Sequence, residues 1–259
     1  MSWASRRRGI YLASTVAFFA VIVGGPLSYW YFSIPATCHD GIRNQGETSA
    51  DKGGPCLLLD ERAIQPYGVL WTRAFKVRDG TYNAIAYLQN PNKGAGVASA
   101  RYRFSLYDAD NILIAEREGG HFIMPGSITP IFESRIDTGN RIVARTYFEF
   151  TTTLMWERMQ NNATVIAIGD KVLSDTGATP RLTARVENGS VADLFNPAFV
   201  SVVYDTFGNA LAASQTTLSR LNAGSSEQIV FTWPAPFSSS VGRVDITPLL
   251  PPTAEAVPR

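Results

Sequence analysis

Two cysteines, Cys38 and Cys56, and two histidines, His39 and His121, are the residues of this chain with which redox, nucleophilic or transition-metal chemistry would begin. The cysteines bracket CHDGIRNQGETSADKGGPC, a stretch rich in Gly, Asp and Asn and too polar for a core. In an oxidising compartment they are expected to form one disulfide, which the chain-entropy model values at about 3 kcal/mol; two free thiols are the alternative. Between them Asp40, Asn44, Glu47 and Asp51 offer the hard oxygens that Ca²⁺ collects. Their spacing is not that of an EF-hand. Two readings stand: a calcium loop through these four residues, or a disulfide-closed polar turn whose acids are solvated. His39 has neither a Cys nor a second His at ligand spacing, so no metal chemistry is expected through it.

Nucleophilic catalysis needs Ser, Cys or Thr beside a base. His121, in EGGHFIMPG, is tied to no serine elbow or paired acid and reads as a turn or strand-end residue. Glu116 and Glu118 flank Arg117 in a strand-like stretch, which puts both carboxylates on one exposed face. There is no phosphate-binding loop, dinucleotide fingerprint or zinc signature, so no enzyme is expected. Asn162-Ala-Thr164 and Asn188-Gly-Ser190 fit the glycosylation sequon.

The elements that must carry these residues start with a membrane segment. Gly9 to Phe32 contains no charge over 24 residues; as a helix it measures about 36 Å, enough to cross a hydrocarbon core of about 30 Å. Arg6, Arg7 and Arg8 precede it and predict a cytoplasmic N-terminus, with everything after Ser33 outside. Tyr29, Trp30 and Tyr31 suit the outer headgroup level, and Pro26 after Gly24 and Gly25 predicts a kink. A cleaved signal peptide is the competing reading, but the small-residue pattern cleavage needs is poorly met. Beyond those arginines, 20 basic residues face 22 acidic ones, with no basic stripe interleaved with aromatics, so no nucleic-acid partner is expected.

Past Leu57 short runs of β-branched and aromatic residues alternate with Gly, Asn, Asp and Pro turns, the rhythm of an all-β sandwich. In RYRFSLYD, Tyr102, Phe104 and Leu106 alternate with Arg103, Ser105 and Tyr107, which predicts one core-facing side. The pattern repeats. Ala86 to Asn90 matches Ala184 to Asn188, and the run ending Tyr107-Asp108 matches the one ending Tyr204-Asp205. Asn111 corresponds to Asn209, Gly126 to Gly224 and Phe132 to Phe231, at an offset of 97 to 99 residues throughout. Two copies of one small sandwich are expected, joined through Thr151 to Gln160 with a short helical turn, and followed by an extended tail from Pro251. The tyrosines are expected to pack with their hydroxyls on backbone partners, and Asp108 and Asp205 to open turns.

Phe104, Leu106, Tyr107 and Asp108, with the Asn90 turn and the Gly126 turn, resemble the FxLYD-type domain, an immunoglobulin-like β-sandwich of bacterial envelope proteins; the second copy has Ser201 and Val203 in place of the Phe and Leu. Cys38, Asp40, Gly41, Asn44, Glu47, Asp51, Gly53, Gly54 and Cys56 resemble a C-x-D-G-x-x-N-x-x-E-x-x-x-D-x-G-G-x-C motif of bacterial surface proteins, with Lys52 where the motif usually has a further Cys. The resemblances imply an architecture and an envelope location and carry no catalytic residues.

The expected chain is therefore all-β, two tandem immunoglobulin-like β-sandwich domains after one N-terminal transmembrane helix. Its parts are a cytoplasmic stub and anchor (1–33), a disulfide-closed polar loop (34–60), a first sandwich (61–155), a second (156–250) and a tail (251–259). Its expected partners are membrane lipid through residues 9–32 and an unidentified envelope protein; no cofactor is expected beyond the calcium option. The expected role is structural or protein-interacting, with an accessory subunit of a membrane assembly, or a calcium-dependent adhesion module, as alternatives.

Overall fold

A computed structural model describes residues 3–33, 38–44 and 46–254. The residues between helix and loop, 34–37, and the end of the expected tail, 255–259, lie outside the described residues. The chain divides into two units, residues 1–56 and 57–259.

In the first unit, α1 (Trp3–Phe19) runs through a π-helical turn (Ala20–Gly24) into α2 (Gly25–Ser33). Arg7–Tyr31, with mean hydropathy 1.9, is long and apolar enough to cross a membrane. That π-turn lies just upstream of Pro26, where the sequence predicts a kink. Proline has no N–H and its ring crowds the carbonyl four residues back, and one wider turn just upstream accommodates both.

In the second unit, the period-two runs form strands as their alternation requires. The first half holds β1 (Gly68–Arg78), β2 (Thr81–Gln89), β3 (Ala95–Tyr107), β4 (Leu113–Ile123), β5 (Ile128–Asp137), β6 (Arg145–Phe150) and β7 (Glu157–Gln160). The second holds β8 (Ile166–Ser174), β9 (Arg181–Asn188), β10 (Leu194–Phe195), β11 (Ala198–Asp205), β12 (Ala210–Thr217), β13 (Arg220–Leu221), β14 (Ser226–Thr232) and β15 (Val241–Leu249), and β16 (Thr253–Ala254) closes the described chain. All pairing is antiparallel.

Each half is a sandwich. In the first, the sheet β1-β2-β5 faces a sheet in which β3 pairs β4, β6 and β7; Ala84, Ala86 and Leu88 of β2 meet Tyr102, Phe104 and Leu106 of β3 in its core. In the second, β12-β11-β15 faces β14-β9-β8 around Phe199, Val203, Leu182, Val186 and Phe231. Tyr102, Phe104 and Leu106 are buried while Arg103, Ser105 and Tyr107 are only partly so, as the alternation in RYRFSLYD requires.

The sandwiches also share a third core, which the sequence reading did not foresee. Phe75, Ile85 and Tyr87 on the outer face of β1-β2-β5 pack against Val200, Val202, Tyr204 and Ala213 on the outer face of β12-β11-β15. Four sheets are thus stacked, and β2 and β11 are buried on both sides. At about 1.5–3 kcal/mol for each large apolar side chain removed from water, this contact is comparable with either sandwich core.

The joint differs from expectation. Residues 57–59 and β7 belong to the first sandwich: the Leu59 N–H donates to the Trp156 carbonyl at 2.8 Å, the Arg158 N–H to the Leu57 carbonyl at 2.9 Å, and Trp156 lies in the first core. The helical turn is a 3₁₀ segment at Asn162–Val165, capped by Asn161, rather than within 151–160. The tail is docked as far as Ala254, since Thr253 and Ala254 pair with Gln160 and Met159 and the Asn162 amide donates to the Pro251 carbonyl at 2.8 Å.

Candidate functional site

Cys38 and Cys56 form the disulfide, with Cα atoms 5.5 Å apart and Cys56 fully buried. Within the loop, Asp40, Asn44, Glu47 and Asp51 are brought together, and the oxygens of the three acids take N–H groups. Asp51 accepts from the backbone of Asp40 at 2.9 Å and Gly41 at 2.9 Å. Asp40 accepts from the Ile42 backbone at 2.8 Å and the Asn44 amide at 3.0 Å. Glu47, itself buried, accepts from the backbone of Asn44 at 3.4 Å and of Asp51 at 3.1 Å, and its Oε1 lies 3.1 Å from Cys56 Sγ. A bound cation would share the carboxylate oxygens with these donors, while the Asn44 Oδ1 is buried and takes no hydrogen bond among the described residues. As arranged, the acids organise the backbone of a closed loop.

In the second unit the sequence-matched residues have matching surroundings. Asn90 and Asn188 are almost wholly buried at the ends of β2 and β9. The Asn90 amide donates to the Ala95 carbonyl at 2.7 Å and the Met124 carbonyl at 3.0 Å, and its oxygen accepts from the Asn92 N–H at 3.0 Å. The Asn188 amide donates to the carbonyls of Ala192 at 2.8 Å, Leu221 at 3.2 Å and Asn222 at 3.2 Å, and its oxygen accepts from the Ser190 N–H at 3.0 Å. Each asparagine ties two loops at one end of its sandwich, beside a glycine in the left-handed region, Gly126 and Gly224. Its nitrogen has no room for a sugar at Asn188.

Asp108 and Asp205 open equivalent turns. Asp108 accepts from the backbone of Asp110 at 3.1 Å and Ile112 at 2.9 Å; Asp205 accepts from Phe207 at 2.8 Å and Asn209 at 2.8 Å. The side-chain hydrogen bond from Asn209, with those backbone donors, holds the Asp205 carboxyl below its usual range. The tyrosines beside them diverge. Tyr107 packs edge-on against Tyr147 with ring centroids 5.4 Å apart, near solvent. Tyr204 is buried in the shared core with side-chain partners, Tyr87 and Arg243, instead of the backbone partner expected, and the Arg243 guanidinium lies 4.3 Å from its ring centre. Burial first, then Tyr204, pushes the Tyr87 hydroxyl well above its usual range.

His121 lies near the end of β4, half-buried, with Nδ1 2.8 Å from the Phe122 carbonyl. Burial lowers its pKa below 6.5, against the opposing pull of that carbonyl and Glu133. Glu133 accepts from the Tyr102 hydroxyl at 2.7 Å and from Arg117 at 3.1 Å. Tyr102 reaches it past Gly119, where any Cβ would stand 2.4 Å from the hydroxyl oxygen. Glu116 and Glu118 share the outer face of β4 and both approach Arg103, which is also near Glu149. These groups stitch strands together. The sequence reading also missed a cleft of about 410 Å³ in the first sandwich, lined by Ile64, Tyr67, Leu154 and Trp156 among others; its lining comes from two segments far apart in the sequence, so no single run signals it.

The fold defines an all-β protein, built of stacked sandwiches, that carries one N-terminal helix of membrane-spanning length and composition. No protein-family profile matches the chain, and no curated protein sequence does. Solved structures with partial likeness include red sea bream transglutaminase, at 9% identity and a TM-score of 0.24, with 73% of this chain and 30% of that one covered. A Bacteroides uniformis β-glucuronidase is 14% identical at a TM-score of 0.21, over 62% of this chain and 22% of that one. The C-terminal globular domain of a Pyrococcus abyssi oligosaccharyltransferase is 12% identical at 0.19, over 71% and 46%. This chain thus spans less than half the length of each, and at such scores the likenesses carry no functional argument.

Proposed function

We propose that this chain is a non-enzymatic, membrane-anchored protein of the bacterial envelope, with its stacked sandwiches on the extracytoplasmic side, where they present a surface to another envelope protein. The observation that carries the reading is the uncharged helix led by Arg6, Arg7 and Arg8 and followed by a disulfide-bonded loop. Cationic residues are retained on the cytoplasmic side, and a disulfide persists where the compartment is oxidising. These two independent signals agree on one orientation. The envelope assignment draws further support from the resemblances to surface-protein and FxLYD-type sequences. A role in contact rather than catalysis fits the use of the ionisable groups described above, which close turns and join strands.

Protease treatment of intact cells tests the orientation. Release of fragments from the sandwich body, with the N-terminal segment retained by the membrane, is the expected result; full protection of residues 57–254 would overturn it.

A further inference from the structure

The two sulfurs of the disulfide are unequally placed. Cys56 is fully buried, whereas Cys38 is partly exposed, so a reductant arriving from water meets the Cys38 side and the sulfur it displaces is that of Cys56. A carboxylate stands beside that sulfur. Glu47 Oε1 lies 3.1 Å from Cys56 Sγ, and Glu47 itself is only 4% exposed. Its Oε2 takes the backbone N–H groups of Asn44 and Asp51, which leaves Oε1 to the sulfur. Arg43 Nε donates to the Glu47 carbonyl oxygen at 3.2 Å, and among the described residues no ion pair reaches the Glu47 carboxylate. A disulfide sulfur has no hydrogen to give, so this contact is not one of the hydrogen bonds that organise the loop. Its consequence lies in the breaking of the S–S bond.

When an external thiolate reduces the bond, its sulfur bonds to Cys38 Sγ, the Sγ–Sγ bond breaks, and the electron pair of that bond stays on Cys56 Sγ. The Cys56 sulfur then takes a proton from water. A second external thiolate frees Cys38, which leaves both cysteines reduced and the external thiol oxidised to its own disulfide. The first step is faster the better the departing sulfur carries negative charge. At Cys56 that charge develops in a buried site 3.1 Å from a carboxylate, where desolvation and like-charge repulsion both oppose it.

We propose that Glu47 guards the Cys38–Cys56 disulfide against thiol reductants by making Cys56 a poor leaving group. The loop thereby keeps its crosslink through exposures to reductant that open an unguarded bond. Nothing in this step depends on the orientation of the N-terminal helix.

The test measures, in the full chain in detergent micelles, how fast excess dithiothreitol or the uncharged tris(hydroxypropyl)phosphine opens the disulfide, read by mass after acid quenching and alkylation. Glu47→Gln keeps the shape and an oxygen for the Asn44 and Asp51 N–H groups but removes the charge, so its disulfide is expected to open at least about fivefold faster with both reagents. An unchanged rate overturns the proposal. A gain with dithiothreitol alone overturns it too, because the carboxylate is then repelling the attacking thiolate instead of the departing one. Asp51→Asn is the control for a loosened loop, since Asp51 holds the Asp40 and Gly41 backbone and stands outside the group formed by Cys38, Glu47 and Cys56. It is expected to react at the rate of the unsubstituted chain; a gain equal to that of Glu47→Gln overturns the guard. In the unsubstituted chain, the mixed disulfide trapped early with glutathione is expected on Cys38. An adduct on Cys56 overturns the assignment of the departing sulfur.

Discussion

Asn188 holds three carbonyls with one amide group, and no solvent reaches it to replace that nitrogen. Asn188→Asp keeps the shape but points a carboxylate at those carbonyls, so a loss of at least about 3 kcal/mol is expected in urea denaturation, with a similar loss for Asn90→Asp. His121 predicts a pH effect. Burial favours its neutral ring, so the unfolded chain takes up the proton first as pH falls. Its contribution is complete above 6.5 and is lost as pH drops from there towards the depressed folded value; His121→Gln should flatten that part of the stability profile. In the loop, the acids already take N–H groups, so EDTA is expected to leave the thermal midpoint of the purified chain unchanged. Reduction of Cys38–Cys56 should instead loosen residues 38–56, as hydrogen exchange would report.

At the scale of elements, β3 and β11, which end at the matched Tyr-Asp pairs, differ in what they face. Inward they agree at Tyr102 with Phe199 and at Leu106 with Val203, while the buried Phe104 has the buried Ser201 as its counterpart. Outward, Arg103 and Ser105 of β3 correspond to Val200 and Val202 of β11, because β3 faces water and charged neighbours while β11 faces another sheet. A charge at Val200 would be buried without a partner, so Val200→Asp is expected to cost more than about 4 kcal/mol, whereas Arg103→Val, which gives up an exposed ion pair, should change stability by less than about 1 kcal/mol. Denaturant titration of the two variants measures the contrast. Strands were legible in the sequence: Arg101 to Tyr107 of RYRFSLYD falls within β3, and the matched runs ending at Asn90 and Asn188 fall at the ends of β2 and β9. The burial of β2 and β11 on both faces was not read from the sequence, since an apolar run does not say against what a second face packs.

For the whole molecule, the shared core has a cooperative consequence. Val200, Val202, Tyr204, Ile85 and Tyr87 belong to both sandwiches at once, and β16 carries the end of the second back onto β7 of the first. The pair is expected to unfold as one, with a single calorimetric transition whose van't Hoff and calorimetric enthalpies agree. Two resolved transitions would contradict the stack.

The sequence by itself determined the elements whose cause is local. An uncharged run of 24 residues can only satisfy its backbone in lipid as a helix, and period-two alternation with Gly and Asn turns dictates strands. Asn90, Asn188, Asp108 and Asp205 were visible as turn residues for the same reason. The tertiary structure decided what depends on distant partners: that the outer faces of β2 and β11 cover each other, that β7 and Trp156 belong to the first sandwich, that the tail returns to Gln160, and that the loop acids face N–H groups. These outcomes depend on which apolar face and which donor lie nearest once the chain has closed, and separation along the sequence does not encode that proximity.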